Sequence, residues 1–162
     1  MKKSIVFLIL FSLSCAFVFS QEITTITIEN AQKTEYRKSE ETGNESIFLD
    51  GNVELSVTKG GVNTKINADI VSYDRVTKML YADGNVHLVS TGSSAGDENV
   101  TASSLVMNTS TLEGVFDGGR VIQTKSDAIN LPSGSTLVVF SDMFGKSESN
   151  VLAFRNASMT FC

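Results

Sequence analysis

Histidine, cysteine and proline are scarce in this chain, and each scarcity closes off a class of chemistry. His87 is the only histidine among 162 residues. A histidine-based metal cluster needs a second one. A Ser-His-Asp triad would have to use His87, with no Gly-x-Ser-x-Gly elbow to present its serine. His87 also alternates with Val86 and Leu88, a spacing that turns it away from their face in a strand. No phosphate-binding loop or dinucleotide fingerprint is present. The expectation is therefore a protein that is not an enzyme and takes no cofactor or metal.

The two cysteines sit at Cys15 and Cys162, the latter being the last residue. Residues 1–20 combine a basic start, "MKK", with the apolar run "SIVFLILFSLSCAFVF" and a small residue before Gln21. That is the pattern of a secretory signal peptide, and the run is short of the roughly 20 apolar residues a bilayer span needs. Ser12, Leu13 and Ser14 make a poor lipid-attachment box before Cys15, so lipoprotein processing is the lesser alternative. Cleavage would remove Lys2 and Lys3 but no acid, taking the net charge from -5 to -7. No basic footprint for nucleic acid exists. Cys162 would be the one remaining thiol, excluding an internal disulfide even in an oxidising compartment. It is either free or pairs with another chain. No second apolar span follows residue 20.

What remains, residues 21–162, reads as one domain rich in β chemistry. One proline, 12 glycines and abundant Val, Ile and Thr favour strands over helices. Only "ENAQKTEYRKSEETGNES" leaves helix and loop both open. "GDE" (96–98) and "SEET" (39–42) read as solvated loop charge.

The sequence repeats itself. "NADIVSYDRVTKMLYADGNV" lies over "TASSLVMNTSTLEGVFDGGRV" at an offset of 34, which brings Asp69 onto Ser103 and Asp83 onto Asp117. Asp50-Gly51-Asn52-Val53 opens an earlier copy, 33 residues before Asp83. A weaker copy follows, in which Asp142 precedes Asn156 by 14, as Asp69 precedes Asp83. Three or four units of two short strands each are expected, stacked because one unit alone cannot bury its apolar face. The recurring aspartates suggest a structural task, bonding backbone amides near a bend or turn.

"LDGNVEL" and "YADGNVHL" look like hairpins, since Asp-Gly between apolar runs is a strong turn signal. Parity argues otherwise. In a strand that runs straight through, Ile47, Leu49, Gly51, Val53, Leu55 and Val57 share one face, and Asp50, Asn52, Glu54, Ser56 and Thr58 the other. A hairpin at Gly51-Asn52 would put Asp50 with the apolar set. The glycines therefore mark bends inside strands. The turns fall instead at "TKGGVNT", "YDRVTK" and "NTSTLEG", with longer loops at "STGSSAGDE" and "KSDAINLPSGS". In the third unit Arg120 stands where Val86 stood and Val121 comes one later, a slip that a one-residue bulge would explain.

Ala68-Asp69, Asp74, Leu80, Ala82 and Gly84-Asn85-Val86, with "LDGNVELSV" before them, resemble the repeat of the OstA/LptA lipopolysaccharide-transport family. The match is good over residues 24–125 and poor over 135–162. The ending "FRNASMTFC" resembles the point where the jellyroll of the large, LptD-type outer-membrane member gives way to a barrel. The resemblance implies an all-β fold, an open, twisted β-jellyroll of stacked antiparallel strands. It also implies a periplasmic bridge component, near the outer membrane, that shelters acyl chains of lipopolysaccharide or a related glycolipid in an apolar groove. Other jellyroll proteins would be partners by end-to-end strand addition, with self-association a further expectation. The residues expected to line the groove are Ile47, Leu49, Val53, Leu55, Ile66, Ala68, Ile70, Leu80, Ala82, Val86, Leu88, Val106, Leu112, Phe116, Leu137, Val139 and Phe154. A different class of function stays open: an assembly jellyroll, or a detached domain of the LptD type, acting through its strand edges alone.

Overall fold

Alternating apolar and polar residues, interrupted by short Gly-, Asp- and Asn-rich turns, lay down ten strands and no helix among the described residues. The computed structural model describes residues 23–38, 40, 43–92, 97–123, 135–147 and 152–161. The signal-peptide reading of residues 1–20, Cys15, Cys162 and much of the two long loops lie outside them. The strands are β1 (Thr25–Asn30), β2 (Lys33–Lys38), β3 (Glu45–Lys59), β4 (Val62–Asp74), β5 (Met79–Thr91), β6 (Glu98–Asn108), β7 (Glu113–Gln123), β8 (Leu137–Lys146), β9 (Leu152–Arg155) and β10 (Ser158–Phe161). All pair antiparallel in one sheet. β1 and β2 share one edge of β3, and β9 and β10 share one edge of β8. Each of these pairs is thus one strand broken in the middle, and the sheet is a meander of eight long paths. The expected short strands are in fact 10 to 15 residues long from β3 to β8. Within the ambiguous charged segment, Lys33–Lys38 is an edge strand rather than helix or loop.

A single bend line crosses every path and folds the sheet over on itself. Gly51 and Asn52 have φ of 78° and 48°, and Gly84 and Asn85 have 75° and 50°. These are the left-handed dihedrals of a tight turn, yet β3 and β5 continue through them, as the parity of the apolar residues requires. Two residues bulge in β3 and β5 where a neighbour supplies one fewer, so Asp83 pairs with Ser104 and Val86 with Ala102. The bulge keeps the inner face on one parity in β3 and β5 and reverses it in β4 and β6. The slip at Gly118-Gly119 is real but is not a bulge: β7 pairs without a shift on both sides. It is the same reversal, made where one residue turns the corner.

Of the aspartates that recur along the chain, Asp69 and Asp142 hold this line, through side-chain rather than backbone amides. Asp69 accepts from the Asn85 side chain at 2.8 Å, and Asp142 accepts from Asn156 at 2.9 Å. Asp69 lies directly over Gly84, so a Cβ there would run into its carboxylate. A Cβ on Gly118 would meet only the Ser103 hydroxyl among the described residues, at 3.3 Å. Gly84→Ala is therefore expected to cost more than the ~1–2 kcal/mol of a left-handed alanine alone, and more than Gly118→Ala. Chemical denaturation of the two variants side by side checks the order.

The turns repeat as the strands do. Asp74 Oδ1 accepts from the amides of Val76 and Thr77 at 2.8 and 3.0 Å. Asn108, 34 residues on, accepts from Ser110 and Thr111 at 2.8 and 3.3 Å. The Thr77 amide bond, with help from Asn44 and Val76, holds the Asp74 carboxyl below its ordinary range. A lowered folded value stabilises above the unfolded value and is lost as pH falls through the folded one. Asp74→Asn keeps the turn, on the precedent of Asn108, and removes the titration. Its urea midpoint is expected to fall less than the wild type's below about pH 4.

Candidate functional site

Folding the sheet brings the inner faces of its two halves together, and cross-strand pairing arranges the inner residues in rows. Leu55, Ile66, Leu88, Val100, Val121 and Val139 are successive partners across β3 to β8 in one half. Leu49, Val71, Ala82, Leu105, Phe116, Phe144 and Phe154 are successive partners across β3 to β9 in the other. Both rows are apolar throughout, and the residues between β3 and β8 in each are buried. Phe116 and Phe144 stack with ring centroids 4.4 Å apart and planes 7° from parallel. Phe154 closes the row 6.0 Å from Phe144.

Most of the residues expected inside are there. Leu49, Val53, Leu55, Ile66, Ala68, Leu80, Ala82, Val86, Leu88, Phe116, Leu137 and Val139 are buried, and Ile47, Leu112 and Phe154 pack half-buried against them. Ile70 and Val106 are corrections: they face outward, 36% and 37% exposed. Their strands turn the corner with one residue against two, so inner parity passes from Ala68 to Val71 in β4 and from Val100 to Leu105 in β6. Counting by twos through Asp69 misses Val71 and through Ser103 misses Leu105. Val100, Met107, Val121 and Phe144 are buried as well and were not among the residues expected to line the groove. The Gly-Asn bulges on the neighbouring strands were the available signal. His87 is on the face opposite Val86 and Leu88, bonded to Asn99 at 3.0 Å.

One rim row is mostly polar. Thr64, Ser90 and Glu98 are successive partners on the inner face of β4, β5 and β6, at the rim away from the bend, and all three are buried. The hydroxyls of Thr64 and Ser90 bond at 3.1 Å. Glu98 was expected to be solvated loop charge. It is 3% exposed and bonds Lys146 across the gap between the halves, Nζ to Oε2, at 2.6 Å. Its other oxygen, Oε1, is buried with no hydrogen-bond partner among the described residues. Lys146 belongs to the facing rim row, beside Gly114 and Leu152. A cavity of about 10 Å³ lies against Thr64, Ser90, Lys146, Leu88, Met107 and Phe116. Outside it, an open depression of about 580 Å³ is lined by Met79, Asn108, Val115 and Ala153 among others. Gly114 and Lys146 border both. Among the described residues no group of three His, Cys, Asp or Glu side chains is placed to hold a metal ion.

Among the described residues no further strand pairs with either long edge of the sheet. The β1–β2 edge presents Tyr36, 79% exposed, and the β9–β10 edge presents Met159 and Phe161. On the first edge Glu35 is ion-paired with Lys33 and Arg37, which hold its carboxyl below the ordinary range. Arg37 also lies over the Phe48 ring, 3.5 Å from its centroid.

No family model matches this sequence. No curated protein matches it. Among solved structures it is similar to the crystal structure of LptH from Pseudomonas aeruginosa, described as the LptA homologous periplasmic component of the conserved lipopolysaccharide transport device. The TM-score is 0.59, over 84% of this chain and 94% of that one, at 15% identity. The fold is an LptA-like β-jellyroll.

Proposed function

We propose that this chain is a periplasmic component of a lipid-transport bridge, sheltering acyl chains of lipopolysaccharide or a related glycolipid between the halves of its sheet and catalysing no reaction. The observation that carries this reading is the pair of unbroken apolar rows that run across the strands, in a fold shared with LptH. Such rows form a strip along which a chain of methylenes slides without meeting a polar barrier. Each buried CH₂ adds about 0.8 kcal/mol, so a few carbons of contact suffice for useful affinity. The contacts are nonspecific, and substitutions of inner residues by serine weaken binding by graded amounts. The open edges suit end-to-end addition of further jellyrolls.

The test is to express the chain in a double-membraned bacterium, purify it, extract it and identify bound lipid by mass spectrometry. Recovery of acylated glycolipid supports the conduit. An interior that yields no lipid and takes up no acyl-chain probe sinks it.

A second reading has its own support. The halves are closely packed, and the interior cavity at the rim is only about 10 Å³. A sealed jellyroll that acts only through its edges, as an assembly element or as a detached domain of the LptD type, would look like this. Self-association or partner capture unaffected by lipid favours it. The conduit requires the halves to part when an acyl chain enters.

A further inference from the structure

We infer that the rim holds a polar subsite for a hydrogen-bond donor carried on an acyl chain, a hydroxyl or an amide N–H, with Glu98 Oε1 as the acceptor. The inference rests on the conduit reading and narrows its cargo. A buried carboxylate oxygen without a partner is costly, because its lost hydration is not replaced. Here Oε2 is held by Lys146 while Oε1 has nothing among the described residues. Glu98 is the cross-strand partner of Ser90, whose hydroxyl bonds that of Thr64, in a row whose next neighbours inward are wholly apolar. An alkyl chain lying on the apolar rows meets this polar row at the rim. A methylene there leaves Oε1 unsatisfied; a donor bonds it.

The structure also offers an entry route. Lys146 and Gly114 border both the outer depression and the inner cavity. A chain entering from that depression passes Lys146 first, then the Thr64 and Ser90 hydroxyls that line the cavity beyond it, and Glu98, the ion-pair partner of Lys146, follows Ser90 in the same cross-strand row. The ion pair ties the free margins of the two half-sheets, so the same residues that admit a chain also read it.

The test uses neutral probes, since a free carboxylate would bind Lys146 for a different reason. The purified full-length mature chain is incubated with an equimolar mixture of methyl stearate, methyl hydroxystearate and stearamide. The bound fraction is recovered and quantified by mass spectrometry. Wild type is expected to enrich the hydroxylated ester, the amide or both over the plain ester by about tenfold, the size of one charge-assisted bond. Which is enriched tells a hydroxyl source from an amide source. The double variant Glu98→Leu/Lys146→Met, checked for folding by thermal unfolding, is expected to recover the three probes in near-equal amounts. Glu98→Gln, whose neutral oxygen accepts a weaker bond, should fall between and stands in if the double variant does not fold. Equal recovery of all three probes by wild type overturns the subsite and leaves the conduit standing. So does enrichment that survives in the double variant or is undiminished in Glu98→Gln. Recovery of none of them overturns the conduit, and the subsite with it.

Discussion

Lys146→Met destabilises the folded chain by about 3–5 kcal/mol, the usual cost of leaving one charge of a buried pair without its partner. The magnitude follows from burial: Glu98 is 3% exposed and the Lys146 side chain 13%. Solvent cannot take over the role of the lost ammonium, and Glu98 would then have two unpartnered oxygens rather than one. The double variant Glu98→Leu/Lys146→Met removes both charges and keeps the volume close. A buried pair replaced by apolar residues of similar size is often neutral or stabilising, so this variant is expected to unfold near the wild-type midpoint. The contrast between single and double variants in urea is the measurement. If Lys146→Met unfolds like wild type, the pair is not buried as described. The surface pairs behave differently. Lys65 with Glu29, and Arg75 with Glu45, have lysine and arginine side chains about three-fifths exposed, and pairs of that kind contribute at most about 1 kcal/mol.

Phe144→Ala is expected to cost about 3–5 kcal/mol, as large-to-small changes in a core do. Phe144 is 1% exposed and sits between Phe116 and Phe154 in the inner row. The stack with Phe116 adds a coupling of about 0.5–1.5 kcal/mol beyond burial, which a double-mutant cycle with Phe116→Leu would isolate. The site also bears on function. Removing the ring opens a cavity among the inner rows, so the variant should lose stability yet bind an acyl-chain probe at least as well as wild type. A variant that unfolds at the expected midpoint but takes up no probe at all would count against the conduit.

Much of this was legible in the residues. Alternation marked β3 and β5 as continuous through Gly51 and Gly84, because a hairpin would have mixed Asp50 with leucines. The offset of 34 gave the equivalence of the turns at Asp74 and Asn108, since a repeated unit repeats its hydrogen bonds as well as its apolar face. Twelve of the expected interior residues are buried and three more pack beside them.

Two things were not legible, and one physical reason covers both. Whether residue 70 or 71 points inward depends on how many residues the neighbouring strand spends at the corner. That is a property of pairing between strands, not of either strand alone. Ile70 and Val106 looked inward because each was counted along its own chain. The Glu98–Lys146 pair joins residues 48 apart that belong to different halves of the folded sheet, and nothing local marks either as buried. The order of apolar and polar residues by itself determined the strands, their bends and most of the interior. Only the folding of the sheet decided which faces reverse at the corner and which charges meet at the rim. Both depend on contacts between strands that no single strand's pattern contains.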